Sequence, residues 1–477
     1  MLTIYTPATG FPDLEIKIAY GLARVGIEAG YDFSLIPDKG FYRIEFQASD
    51  LDKLNSTFLH ILSVLLSSDK FFDLGVKARY KNKYPVHEKI IKKLDQKISS
   101  KNFTNLFDLK IVSNLNIKKD YFCGHEDIEK FGGSGLILLS SFHAGKPYER
   151  NKRFSTFNQS LCALCGYLAV LGLYSFGFQI QMGKEKNRKY VIVLPMPQQK
   201  MTHIDLKLLL SLQKTLHNFW LSDIQPLRTF PIGLLSKVPS LSDIINDMQL
   251  TFQLYLLSKD NRGDTIVEES ATVEALPFSK FIASSSYNSA TIDKLLGSYK
   301  NQPKISSLIE ITNALEHKDK EALLKFARLY VQETSTNNFT NLLYPETTRY
   351  FLKEVAMIKE DIMKNKAVRS IAKTLGYFVW NRDYQNYSFV DGLRNAKTSK
   401  DVRQIFEKLV REAKLRYDQE RTKEKGTPPH LPHPEDIEEI NRLMQSDQDS
   451  FEQVITTLYL LAFSFESYKT IRIEDEK

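Results

Sequence analysis

The hydrophobic rhythm of this chain changes close to residue 300, and that change limits the folds open to it. Beyond residue 303 the apolar residues recur at intervals of three and four. Ile305, Leu308, Ile309 and Leu315 fall on one helical face, as do Leu323, Phe326, Ala327 and Tyr330. The same holds for Val368, Ile371, Ala372 and Leu375, for Val402, Ile405, Phe406 and Leu409, and for Phe451, Val454, Ile455, Leu458 and Ala462. A strand sends alternate residues to opposite faces, so this spacing argues against a sheet and predicts an all-α bundle over 303–477. Upstream the rhythm is mixed. DLEIKIAYGLARVGIEAG reads as a helix closing near Gly30, and YDFSLIPDKGFYRIEFQASD as two strands turning at Asp38-Lys39-Gly40. FGFQIQM and KYVIVLPMP read as strands, and IDLKLLLSLQKTLHNFWL as a helix. Between the two regimes lies SSSYNSATIDKLLGSYKNQP, rich in Ser and Asn, with Gly and a closing Pro. The expectation is an α+β protein: a mixed α/β region over 1–285, a linker over 286–302 and a helical bundle over 303–477.

With 477 residues, 42% of them hydrophobic and 26% charged, the chain has material for two or three globular domains. One stretch invites another reading. Residues 154–183 carry no charge, and LCALCGYLAVLGLYSFGFQI is long enough to cross a bilayer. Three glycines, the flanking glutamines and the strand pattern that follows favour a buried helix of about 16 residues running into a strand. Three cysteines in so long a chain speak for a reducing compartment. The first 20 residues lack the basic start and apolar core of a signal peptide, so a cytoplasmic location is expected.

The net charge of +8 permits anionic partners without demanding them, so the distribution of the cations matters more. In FFDLGVKARYKNKYPVHEKIIKK, Lys77, Arg79 and Lys81 alternate with tyrosines, the mixture that phosphate neutralisation and base stacking require. A solvated helix face would look the same. HAGKPYERNKR places Lys146, Arg150 and Arg153 in a loop between a strand and the apolar helix, and GKEKNRKY places Lys184 and Arg188 at a hairpin tip. On the bundle, Arg369 and Lys373 share a face with Lys366, while Arg394 and Lys397 cluster at the next turn with Arg382, Lys400 and Arg403. Thr398 precedes Asp401 by three, the start of a capping box.

Nothing here carries a familiar catalytic signature. There is no H-E-x-x-H, no G-x-S-x-G and no Walker motif; the glycines of KFGGSGLI lead into a strand and no Lys-Ser/Thr follows. Cys162 and Cys165 form a C-x-x-C, and Cys123 with His125 a C-x-H, which together could make a Cys3His zinc site. The C-x-x-C lies in an apolar helix, where cysteines serve as small hydrophobes. The expectation is therefore no cofactor, with zinc as a minority alternative.

The residues GLILLSSFHAGKPYERNKRF with CALCGYLAVLGLYSFGF, then VRSIAKTLGYFV, VDGLRNAKTSKDVRQIFEKLVREA and LPHPEDIEEINRLMQSDQDSFEQVITTLYLLAFS, give the chain a likeness. It resembles the large subunit of type I CRISPR interference (Cascade) complexes, nearest subtype I-A, with a small-subunit-like bundle fused at its end. The resemblance implies a non-enzymatic subunit of an antiviral ribonucleoprotein. Its partners would be the 5′ handle of the guide crRNA, target double-stranded DNA read at a short protospacer-adjacent motif, the displaced single strand, the other Cascade subunits and a helicase–nuclease. No membrane enters this reading. Sequence choice would be left to base pairing. Under it, Lys77, Arg79, Lys81, Lys146, Arg150 and Arg153 would face guide or motif-proximal DNA, and Arg369, Lys373, Arg394 and Lys397 the displaced strand. Relatives sometimes carry a fuller cysteine set than this chain does. The alternatives are a nucleic-acid-processing enzyme with an unfamiliar active site and a membrane-associated scaffold.

Overall fold

The computed structural model describes residues 1–7, 12–38, 41–47, 51–67, 162–182, 189–215, 220–221, 227–259, 265–297, 302–336, 339–424 and 426–466. They form an α+β fold that divides into two compact units. The first comprises residues 1–231 and 240–276, the second 232–239 and 277–477.

The first unit opens with β1 (Leu2–Tyr5), α1 (Pro12–Ala29), β2 (Phe33–Asp38), β3 (Phe41–Phe46) and α2 (Leu51–Ser67). Asp38 pairs with Phe41 across an antiparallel register, the hairpin that Asp38-Lys39-Gly40 predicts. Inward residues alternate along it: Phe33 and Leu35 on β2, Tyr42, Ile44 and Phe46 on β3. The apolar stretch becomes α3 (Ala163–Phe176), followed by β4 (Phe178–Met182) and β5 (Lys189–Met196). Next come β6 (Met201–Thr202), α4 (His203–Thr215) and β7 (Trp220–Leu221), the last a strand where the sequence suggests continued helix. Helix α5 (Phe230–Lys237) passes at residue 232 into the second unit, and α6 (Leu241–Met248) with strands β8 (Thr251–Lys259) and β9 (Thr265–Glu274) completes the first. Two sheets result, in the orders β1-β3-β2-β6 and β7-β4-β5-β8-β9; β4 and β7 run parallel and every other pair is antiparallel.

The crossing of α1 and α3 explains the glycines in the apolar stretch. A Cβ on Gly172 would lie 1.9 Å from the Lys17 carbonyl oxygen, and one on Gly21 would lie 2.1 Å from that of Leu168. Only hydrogen at both positions lets the two backbones touch. Tyr20 stacks on Phe176 with ring centroids 4.7 Å apart and donates a 2.7 Å hydrogen bond to the Pro195 carbonyl. Helix α3 is thus buried by protein, and among the described residues no helix is long and apolar enough to cross a membrane.

One feature of α1 has no signal in the sequence. Asp13, Glu15 and Lys17 are all buried. The Lys17 ammonium lies 3.6 Å from the Asp13 carboxylate, which accepts a 2.6 Å hydrogen bond from the Tyr255 hydroxyl. Burial pushes the lysine's pKa down, and the charge of Asp13 opposes that shift.

The second unit is helical. Its division from the first falls at residues 276/277, ahead of the linker expected over 286–302. Most of that expected linker is α8 (Ser286–Leu296), which follows α7 (Leu276–Ser284) and buries Ile292, Leu295 and Leu296. Ser285 caps α8 by accepting from the Tyr287 N–H, so the serines that read as linker are partly a helix start. Helices α9 (Ile305–His317), α10 (Lys320–Thr334), α11 (Pro345–Tyr350), α12 (Glu360–Lys364) and α13 (Lys366–Trp380) follow. The last are α14 (Ser388–Asn395), α15 (Ser399–Arg421), α16 (Pro434–Ser446) and α17 (Gln448–Ala462).

Most of the apolar positions read from the sequence are buried; Ile305 and Ile405 are half-buried, and Ile309 is 37% exposed. Leu308, Ile311 and Leu315 form the inward stripe of α9, and residue 309 lies about 100° around the helix from 308. Thr398 and Asp401 form the expected capping box, and Asp319, Asn365 and Asp447 cap α10, α13 and α17. Hydrogen bonds from Thr398 and from the Lys397 and Thr398 amides hold the Asp401 carboxyl below its ordinary pKa.

Candidate nucleic-acid interface

The described cations worth weighing as a site lie on the second unit, on α13 and around it. Lys366, Arg369 and Lys373 occupy positions i, i+3 and i+7, which puts them along one face. The opposite face of α13 buries Val368, Ile371, Ala372 and Leu375, so the charged face is turned outward by the core itself. It borders a cleft of about 370 Å³, whose far side includes His430, His433 and Asp436 at the start of α16, with Leu461 and Glu466.

Two hydrogen-bonded groups shape this cleft. Arg369 lies 3.0 Å from the Glu466 carboxylate and donates through Nε to the Met363 carbonyl at 3.2 Å. Arg349 reaches the same Glu466 oxygen at 3.9 Å. Opposite, the Ser370 hydroxyl donates to Asp436 at 2.6 Å and lies 2.9 Å from His430 Nε2. Thr374 donates to the His430 carbonyl at 2.9 Å. Serine, histidine and aspartate meet here, but not as a nucleophilic triad. In a triad the imidazole bridges hydroxyl and carboxylate and takes the hydroxyl proton. Here the serine is the bridge and its proton points to the carboxylate, so the imidazole N–H donates to Ser370. The arrangement pins the proline-rich loop before α16 onto α13. With Arg369 and Asp436 engaged, Lys366 and Lys373 remain as ammonium groups that form no ion pair with a described residue. Lysines on a solvent-facing helix surface suit contact with a phosphate backbone read as charge.

The second basic cluster is mostly committed to structure. Arg394 forms an ion pair with Glu321, joining α14 to α10. On the same join, the Arg328 guanidinium lies 3.5 Å from the Tyr387 ring centroid and 3.3 Å from Asp391. Arg403 pairs with Glu407 at 3.3 Å, and Arg382 donates to Thr340 at 3.3 Å. Lys397 and Lys400 stand exposed beside them. Further along α15, Glu420 accepts from Tyr384 at 2.7 Å and from Lys423 at 2.5 Å. The Lys423 hydrogen bond, with that of Tyr384, holds the Glu420 carboxyl below its ordinary pKa.

Of the residues singled out from sequence, Lys77, Arg79, Lys81, Lys146, Arg150, Arg153, Lys184 and Arg188 lie outside the described residues, as do Cys123 and His125. Lys184 and Arg188 fall between the antiparallel pair β4 and β5, where Met182 stands opposite Lys189. Cys162 and Cys165 are fully buried, and the Cys162 sulfur accepts from the Cys165 N–H at the start of α3. That half of the C-x-x-C is a helix cap. No group of three or more His, Cys, Asp or Glu suited to a metal occurs among the described residues. Sequence reasoning missed Arg349, His430, His433 and Glu466, whose convergence depends on chain folding over more than a hundred residues; only the paired histidines of PPHLPHP hinted at it.

No protein-family model matches the chain, and a search of curated proteins finds no match.

Proposed function

We propose that this protein is a non-catalytic, nucleic-acid-binding subunit of a CRISPR RNA-guided defence complex, acting in the cytoplasm. In this reading it binds the 5′ handle of a guide crRNA, engages target duplex DNA at a short adjacent motif, holds the displaced strand and meets the other Cascade subunits and a helicase–nuclease. The observation that supports it is the outward face of α13, where Lys366 and Lys373 stand over an open cleft without an ion pair to any described residue. A few unpaired cations on a rigid helix hold a phosphate backbone without reading bases, which is what a guide-directed complex asks of its protein. Arg369 and Arg394 also pair with carboxylates of the fold, so in this reading Lys373 and Lys397, with the neighbouring Lys366, are the first candidates for strand contact.

Gentle purification of the tagged chain from its host, followed by sequencing of the RNA that accompanies it, tests the reading. Short RNAs with a shared handle and variable spacers are expected. Bulk RNA alone, or none from an intact preparation, would remove the interference-complex reading.

A further inference from the structure

The second unit carries a row of aromatic rings outside its core. Tyr287, Tyr344, Phe465 and Phe339 follow one another with centroids 4.8, 6.0 and 6.2 Å apart and interplanar angles of 38°, 35° and 28°. The members at the two ends are the open ones: Tyr287 is 45% exposed and Phe339 52%. Tyr344 and Phe465 between them are half-buried, so the open ring faces are those of the two ends, and each forgoes burial.

The backbone under the row is firmly held. The Leu343 N–H donates to the Phe463 carbonyl at 2.8 Å, and the Phe465 N–H returns the bond to the Leu343 carbonyl at 2.9 Å. Phe339 is fixed by a reciprocal pair with Thr336, at 2.9 and 3.3 Å. Platforms on ordered backbone lose little entropy when they are covered.

The charges beside the row favour an anion. The Lys294 ammonium sits 4.7 Å from the Tyr344 ring centroid, and Arg349, its side chain 60% exposed, lies 3.9 Å from the carboxylate of Glu466, the residue after Phe465. Glu466 is itself taken up by Arg349 and Arg369. Glu466 also lines the cleft of Lys366 and Lys373, so Arg349 and that cleft share one carboxylate, one residue along the chain from Phe465. Cations that follow a backbone and rings that accept bases of any identity are together the chemistry of single-stranded nucleic-acid binding.

We infer that Tyr287 and Phe339 are stacking platforms for the bases of single-stranded DNA, whose phosphates run past Lys294 and Arg349 to Lys366 and Lys373. The inference rests on the nucleic-acid-binding function proposed above, takes the single strand named there as the ligand and adds the residues that receive its bases.

The full-length protein is titrated into fluorescein-labelled oligo-dT, with binding read by anisotropy over a range of salt. Replacing both platforms (Tyr287→Ala with Phe339→Ala) weakens binding about tenfold or more, with the salt slope unchanged, since stacking is lost and phosphate contacts remain. The ring-retaining pair Tyr287→Phe with Phe339→Tyr binds as the parent does. Lys366→Ala with Lys373→Ala shows the complementary signature, a flatter salt slope. Equal affinity in parent and alanine pair overturns the inference, as does the same loss in the ring-retaining pair or a parent that binds lipid vesicles and not oligo-dT. If those results come while guide RNA still co-purifies, the platforms alone are wrong. Absence of guide RNA condemns the functional proposal instead.

Discussion

Helices α3 and α13 are nearly the same length, 14 and 15 residues, yet they are held by opposite means. Helix α3 is apolar on all sides and is fixed by backbone contact: Gly172 and Gly21 let it touch α1 with nothing between. Helix α13 is amphipathic over its first half, 366–373, where one stripe turns inward and Lys366, Arg369 and Lys373 are left to solvent and to the cleft; from Thr374 to Val379 it too is buried all round. A helix buried along its whole length has no surface on which to carry a binding site, whereas turns held by one stripe can carry charge outward. The contrast explains why the described candidate site lies on the second unit.

The comparison can be broken most severely at the buried charges of α1. Lys17→Met removes the partner of a buried Asp13 and is expected to destabilise the protein by about 3–5 kcal/mol, read by denaturant unfolding of the first unit's transition. Gly172→Ala places a methyl group against the Lys17 carbonyl, at an expected cost of about 3 kcal/mol. If Gly172→Ala proved neutral, the close-contact account of α3 would fail. On α13, Leu375→Ala empties a fully buried site and should cost about 2–5 kcal/mol, so the inward stripe is as sensitive as the crossing. Thr398→Ala removes half the capping box before α15, with a loss of about 1 kcal/mol in thermal or chemical unfolding.

The smallest effects sharpen the comparison from the outward side. Lys366→Ala with Lys373→Ala should shift stability by no more than about 0.5 kcal/mol while lowering the slope of log affinity against log salt by about 1–2. A pH effect of similar modesty belongs to Glu420. Its folded-state pKa lies below the ordinary 4.5, so its contribution is complete above that value and is lost as pH falls through the folded value. Glu420→Gln is therefore expected to flatten the acid limb of the stability profile; an unchanged limb would show that the Lys423 and Tyr384 contacts contribute nothing there.

The same contrast decides what was legible in the sequence. The bundle could be read because inward stripes such as Val368–Leu375 repeat locally, and the capping box because its partners are three residues apart. The hairpin at 38–41 and the helix-to-strand passage after Phe176 were legible for the same local reason. Burial of Lys17 was not, since it depends on Tyr255, 238 positions away. Nor were the engagement of Arg369 by Glu466 and the meeting of Tyr344 with Phe465. Local pattern specifies which face turns inward; only the assembled fold specifies which charges on the outer face are already taken. The sequence reading therefore placed Arg369 and Arg394 beside Lys373 and Lys397 as equals, and the structure separates them.

The crossing of α1 and α3 also sets a timetable for synthesis. Gly21 leaves the ribosome roughly 150 residues before Gly172, an interval of about ten to thirty seconds at ordinary elongation rates. Throughout it, α1 has no α3 to cover its apolar side or to seat the Lys17–Asp13 pair. The nascent protein must therefore spend that interval with the α3-facing side of α1 uncovered, a stage at which a holding chaperone would have its clearest target.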